Sequence, residues 1–126
     1  MEQNQERMTH VVYSKDDDGQ VIIADEVVAI IAGIAATETE GVDSMDGGWS
    51  GEIISRMGIK DLSKGVTTSI EEGHVSVNLS LNVKYGYSIP KVSKNVQEKV
   101  AQAIESMTGL NVLDVNVRIS GVVTTE

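Results

Sequence analysis

Ser88 and Lys91 stand three residues apart in "SIPK", a spacing that sets a lysine one helical turn beyond a serine nucleophile. An acyl-enzyme of that kind also carries S-D-N and K-T-G patterns. Neither occurs here, and 126 residues are few for such an enzyme. The same stretch, "YGYSIPKVSKNVQEKVAQAIESMTGL", reads completely as a helix. Ser88 is its N-cap, Pro90 sits in the first turn where no intrahelical N–H is needed, and Gly109 stops it. Leu110, just past that glycine, is expected to pack back on Ile104 in a Schellman-type stop. Val92, Val96, Val100, Ile104 and Met107 recur at helical spacing and form the inner stripe, with Lys91, Lys94, Glu98, Lys99 and Glu105 outside. The spacing predicts a docked, capped helix and no catalytic serine.

Other groups with chemical potential are as weakly arranged. "SKDDDGQVIIAD" places Asp16, Asp18, Gly19 and Asp25 where a calcium loop has ligands and its turn glycine. Its first place is Ser14, its twelfth is Asp and not Glu, and no incoming helix precedes it, so an acidic hairpin turn is expected. His10 and His74 are the only histidines, with no acid–nucleophile partners in the pattern; both read as solvated surface groups. Arg56, Lys60 and Lys64 fall four apart, but Gly58 and Asp61 interrupt them, which favours a solvated face over a membrane-facing helix. No cysteine is present, which excludes disulfides, thiolate metal sites and cysteine nucleophiles. The expectation is no enzyme, no metal and no cofactor.

These groups must sit on a single domain, since 126 residues suffice for one core. With no Phe and only 3% aromatic residues, that core must be Val, Ile, Leu, Ala and Met. The net charge of −9 lies at one end: residues 1–50 hold 11 of the 19 acids and 2 of the 10 bases. An acid-rich surface repels phosphate backbones, so nucleic-acid binding is not expected. No signal peptide and no apolar run long enough to span a bilayer is found, so no direct membrane insertion is expected.

Residues 1–9 are polar and patternless and read as a disordered arm, residues 10–123 as the domain, and 124–126 as a tail. "HVVYSKDDDGQVII" predicts two short strands about an Asp18-Gly19 turn. Asp25 is the expected N-cap of a helix over about 25–39, whose apolar run "VVAIIAGIAA" covers every face and predicts a sandwiched element. Ala29 and Gly33 give it a small-residue face, expected to press on the sheet, with a helix–helix dimer contact as the alternative. Residues 41–64 form a Gly-rich connection with one short helix near 50–57 and the only tryptophan, Trp49. That ring is either an interface anchor or a lid folded onto the core.

A hairpin turning at Glu72-Gly73 follows. Its second strand sets Val75, Val77, Leu79, Leu81, Val83 and Tyr85 on one face against His74, Ser76, Asn78, Ser80, Asn82 and Lys84. The closing strand turns Leu113, Val115, Val117 and Ile119 inward. The order β-hairpin–α–β-hairpin–α–β predicts an α+β two-layer sandwich, a small mixed sheet with two main helices. Its wet face carries Thr67, Ser69, Ser76, Asn78, Ser80, Asn82, Asn116 and Ser120, uncharged groups that are cheap to desolvate. Plain solvent exposure is one reading of this face; on the other, Ser76, Asn78, Ser80, Asn82 and Asn116, with Trp49, are the candidate interaction surface.

Tyr85-Gly86, Ser88, Ile89-Pro90-Lys91-Val92, Val96-Gln97, Met107-Thr108-Gly109-Leu110 and "VLDVNVRISGV", preceded by "GQVIIADEVVAIIAGIAATETEGV", occur in an order that resembles the alkaline-shock protein family, the cell envelope stress response proteins of Gram-positive bacteria. The resemblance spans roughly residues 11–123. It implies a small cytoplasmic α+β protein without assigned catalytic residues, forming a homo-oligomer and, as in some members of the family, held at the membrane through a separate anchor protein. Other branches of that family are associated with fatty-acid synthesis, and "GYSIPKV" leans that way. A lipid-synthesis enzyme such as acetyl-CoA carboxylase is therefore the alternative partner. The acidic insertion Asp16–Asp18 and the loop around Trp49 depart from the family pattern.

Overall fold

The computed structural model describes residues 9–13, 20–51 and 62–124, with the backbone alone for 9–13 and 20. β1 (Thr9–Tyr13) and β2 (Gln20–Ala24) pair antiparallel, Tyr13 opposite Gln20, in a two-stranded sheet of their own. The expected turn at Asp18-Gly19, residues 14–19 of the calcium-loop pattern, the arm before Thr9 and residues 52–57 of the short helix expected near 50–57 lie outside the described residues.

β2 runs directly into α1 (Asp25–Thr37). The cap is Ala24, one residue earlier than expected, so Asp25 and Glu26 fall in the first turn and place negative charge at the positive helix end. α1 stops two residues before the expected end, and two threonine hydroxyls close it, Thr37 donating to Ile34 O (2.9 Å) and Thr39 to Ala35 O (3.1 Å). Val28, Ala29, Ala32, Gly33, Ala35 and Ala36 are buried and Ile30, Ile31 and Ile34 pack partly against the core, as an all-round apolar helix requires.

β3 (Val42–Met45) is a strand within the connection and was not legible from its pattern. β4 (Val66–Glu71) and β5 (His74–Lys84) form the expected hairpin. Glu72 and Gly73 both have positive φ, 52° and 82°, as a two-residue turn matched to strand twist demands. α2 (Ile89–Thr108) leads to β6 (Asn111–Val123).

β5 is the centre of the main sheet. β6 runs parallel along its whole length; on the other side β4 pairs with residues 74–79 and β3 with residues 81–83, both antiparallel. The sheet is mixed and both helices cover one face, giving the two-layer α+β sandwich. Val75, Val77, Leu79, Leu81 and Val83 point under the helices and are at most 1% exposed. Each such side chain contributes about 1.5–3 kcal/mol by leaving water. Val92, Val96, Val100 and Ile104 of α2 close the core from above.

Three inward expectations are corrected. Tyr85 lies past the end of β5 in a turn and is 74% exposed. Met107 is 70% exposed; the α2 stripe advances by fours, so Thr108 takes the buried place. Leu113 is 61% exposed because a β-bulge lies between Val112, opposite Val75, and Asp114, opposite Ser76. The bulge turns Leu113 out, and Val112 packs against the core with Val115, Val117 and Ile119.

Candidate functional site

On the face of the sheet away from the helices Thr67, Ser69, Asn78, Asp114, Asn116 and Arg118 are exposed, and the register defines its rows. Ser69 on β4, Ser76 on β5 and Asp114 on β6 form one row. Thr67, Asn78 and Asn116 form the next. Ser80 and Arg118 follow, then Ser44, Asn82 and Gly121. Four of the five strand residues singled out by sequence come from β5 alone, and Asn116 joins them directly: its Nδ2 donates to Asn78 Oδ1 at 3.0 Å. Asn82 Nδ2 donates to Ser44 Oγ at 3.1 Å, and Asn111 Nδ2 lies 3.1 Å from His74 Nδ1. These amides are thus held by neighbouring side chains, so part of the face is pre-arranged. Ser120, expected on this face, is exposed at a second register shift; Gly121 takes the position opposite Asn82, where a Cβ would lie 3.0 Å from Asn82 Oδ1.

Trp49 does not belong to that surface. It is 1% exposed, with Nε1 donating to Lys64 O at 3.2 Å. The preceding "MDGG" explains how: Gly47 and Gly48 both have positive φ (114° and 93°), which turns the chain sharply after β3. Gly48 N–H then reaches Met45 O (2.9 Å) and Met45 N–H reaches Trp49 O (2.7 Å). The indole lies against Gly33, where a Cβ would be 2.9 Å from Cζ2 and 3.1 Å from Leu62 O. At Gly33, then, α1 receives the indole and a loop carbonyl, while Ala29 lies beside Val66 and Thr67 of β4. Of the two roles open to Trp49, the structure has the lid.

The motif residues around α2 have structural duties. Ser88 Oγ accepts the Lys91 N–H at 3.4 Å, so the serine and lysine of "SIPK" meet through a cap and the main chain. Pro90 lies in the first turn, and Tyr85 and Gly86 form the turn that leads there. At the other end Gly109, φ 80°, returns its N–H to Glu105 O at 3.0 Å, a single αL-type bond. The Leu110 N–H goes to Thr108 Oγ1 (3.0 Å), where a Schellman stop would use a carbonyl. Thr108 itself donates to Ile104 O (2.6 Å), and Leu110 is buried. Gln97 spans two elements, donating from α2 to Val115 O on β6 at 3.1 Å. Sequence reasoning missed that link, and it missed Asp114 and Arg118, whose alternation with Asn116 already marked them for the polar face.

Among the described residues no cluster of three or more His, Asp and Glu is placed to hold a metal, and no helix is long and apolar enough to cross a membrane. His74 stays exposed, and Arg56 and Lys60 lie outside the described residues.

The profile of the alkaline-shock protein 23 family, described by a cell envelope-related function, matches residues 13–124. The chain belongs to this family. Among alkaline-shock relatives, the YqhY protein of Bacillus subtilis is 38% identical over 104 residues, covering 82% of this chain and 77% of its own. The Spy1535 protein of Streptococcus pyogenes is 32% identical over 83% of this chain and 80% of its own. A stress response regulator gls24 homolog of the same species is 25% identical over 86% of this chain and 61% of its own length. A solved MamM CTD structure superposes with a TM-score of 0.46 and 12% identity over 80% of this chain and 95% of that one, too distant to bear on role.

Proposed function

We propose that this alkaline-shock protein is a non-enzymatic adaptor of the envelope-stress class. It associates with copies of itself and acts at the cytoplasmic face of the membrane through a protein partner. The observation that carries this is the open sheet face. Serine, threonine and asparagine side chains from three strands lie there in register, with one acid and one base among the central rows. A surface of that kind loses little on desolvation compared with one of Lys and Glu, and it is already ordered by its own hydrogen bonds. The family's cell envelope-related description and the stress-regulator name of its gls24 relatives agree with an adaptor. So does the use of Ser88 Oγ as a cap.

Light scattering at tens of micromolar is the test. Species heavier than the 13.5 kDa chain are expected, and a monomer at every concentration would remove self-association from the proposal.

A further inference from the structure

β6 is an edge. Among the described residues no strand pairs with its outer side, although it is 13 residues long; side chains of α2 reach it only at the Val112 N–H (Glu105) and the Val115 carbonyl (Gln97). Which of its backbone groups face outward follows from the ladder. In a parallel pair each inward residue bonds the neighbours of its partner. Asn111 N–H bonds Gly73 O, and Val123 O accepts from Tyr85 N–H. Carried through the register, this turns Asp114, Asn116 and Arg118 toward β5 and leaves the N–H and C=O of Val115, Val117 and Ile119 facing out. The Gln97 side chain bonded to Val115 O agrees.

We infer that two copies of this chain pair through β6, antiparallel, about a twofold axis at Asn116. The sequence "LDVNVRI" is self-complementary about that residue. A twofold perpendicular to the sheet matches outward backbone groups and like-facing side chains only if it falls on a residue; between residues it would set residues of opposite facing against each other. Centred on Asp114 or Arg118, it sets like charges opposite each other. Centred on Val115 it sets Asp114 against Asn116, and centred on Val117 it sets Asp114 against Ser120. Only at Asn116 does Asp114 of each copy stand opposite Arg118 of the other. Both side chains are exposed, on the polar face, and opposite in charge.

In that register Val115 and Val117 of opposite copies exchange backbone hydrogen bonds. The Asp–Arg pairs occupy the non-hydrogen-bonded positions, where facing Cα atoms are about 4.5 Å apart and side chains meet most closely. The bulge at Leu113, which would face Ile119 of the other copy, confines the pairing to Asp114–Arg118, so the contact is short and depends on its two ion pairs. The Val115 carbonyl keeps a second lone pair beside Gln97. The product is one continuous sheet with all four helices on one side.

This inference rests on the self-association proposed above, and its test separates the two. Sedimentation velocity at low salt is run on the wild-type chain, on D114R, on R118D, on their equimolar mixture and on the chain carrying both changes. Each single variant turns two ion pairs into two like-charge contacts and should weaken association by about tenfold or more. Mixing them, or combining both changes in one chain, restores opposite charges and should restore the dimer, which a folding defect would not do. If the single variants associate as the wild type does, or the mixture and the double variant stay monomeric, strand pairing is overturned while self-association stands. A monomeric wild type overturns both.

Discussion

Replacing Trp49 with alanine tests whether this ring belongs to the core or to an interface. The indole is 1% exposed, lies against Gly33 and donates to Lys64 O. Removing a buried aromatic of that size costs about 3–5 kcal/mol, counting lost burial, the cavity and the unpaired carbonyl. A domain of 126 residues has roughly 6–19 kcal/mol in all. W49A should therefore stay folded at 25 °C but lose a large share of its stability. Since the chain has no other tryptophan, urea unfolding should be followed by far-UV circular dichroism, with self-association of the folded variant measured beside it. The packing predicts a marked fall in the urea midpoint and unchanged association. A loss below about 1 kcal/mol, or association lost at full stability, would show the ring working at a surface and refute the packing argument.

Gly65 has φ +86° and a Cβ there would sit 2.8 Å from Asp46 O and 3.2 Å from Ser80 O, so G65A should cost about 2 kcal/mol or more, read as a lowered calorimetric Tm. T108V keeps shape but strands the buried Leu110 N–H and should cost about 1–3 kcal/mol, whereas M107A, at an exposed position one residue earlier, should stay within about 0.5 kcal/mol; equal effects would contradict the α2 stripe. S88A should lose about 0.5–1 kcal/mol of helix cap and none of the cellular role; loss of that role with stability intact would revive a chemical function for Ser88.

Period-2 alternation in β5 and the cap, proline and glycine of α2 were legible because each states a purely local requirement. The two-layer fold follows from their order. What local pattern cannot state is where a strand breaks register. The bulge at Leu113 inserts one residue into an otherwise clean alternation, and only the pairing with Val75 and Ser76 shows which residue is extra. Met107 and Thr108 are likewise adjacent on the helix, and the choice between them depends on how α2 lies on the sheet. β3 was hidden because four residues in a glycine-rich connection carry too little pattern, and they become a strand by pairing with the end of β5. The polar face was visible as a list; the Asn78–Asn116 bond and the facing of Ser76 and Asp114 needed the parallel register.

The most direct measurement is a pull-down of the tagged chain from crosslinked cells, with membrane and cytosolic fractions identified separately by mass spectrometry. The proposed adaptor predicts untagged copies of the chain together with an integral membrane protein in the membrane fraction. Recovery from the cytosol alone, bound to a lipid-synthesis enzyme and without further copies of itself, would contradict it and favour a regulator of that enzyme.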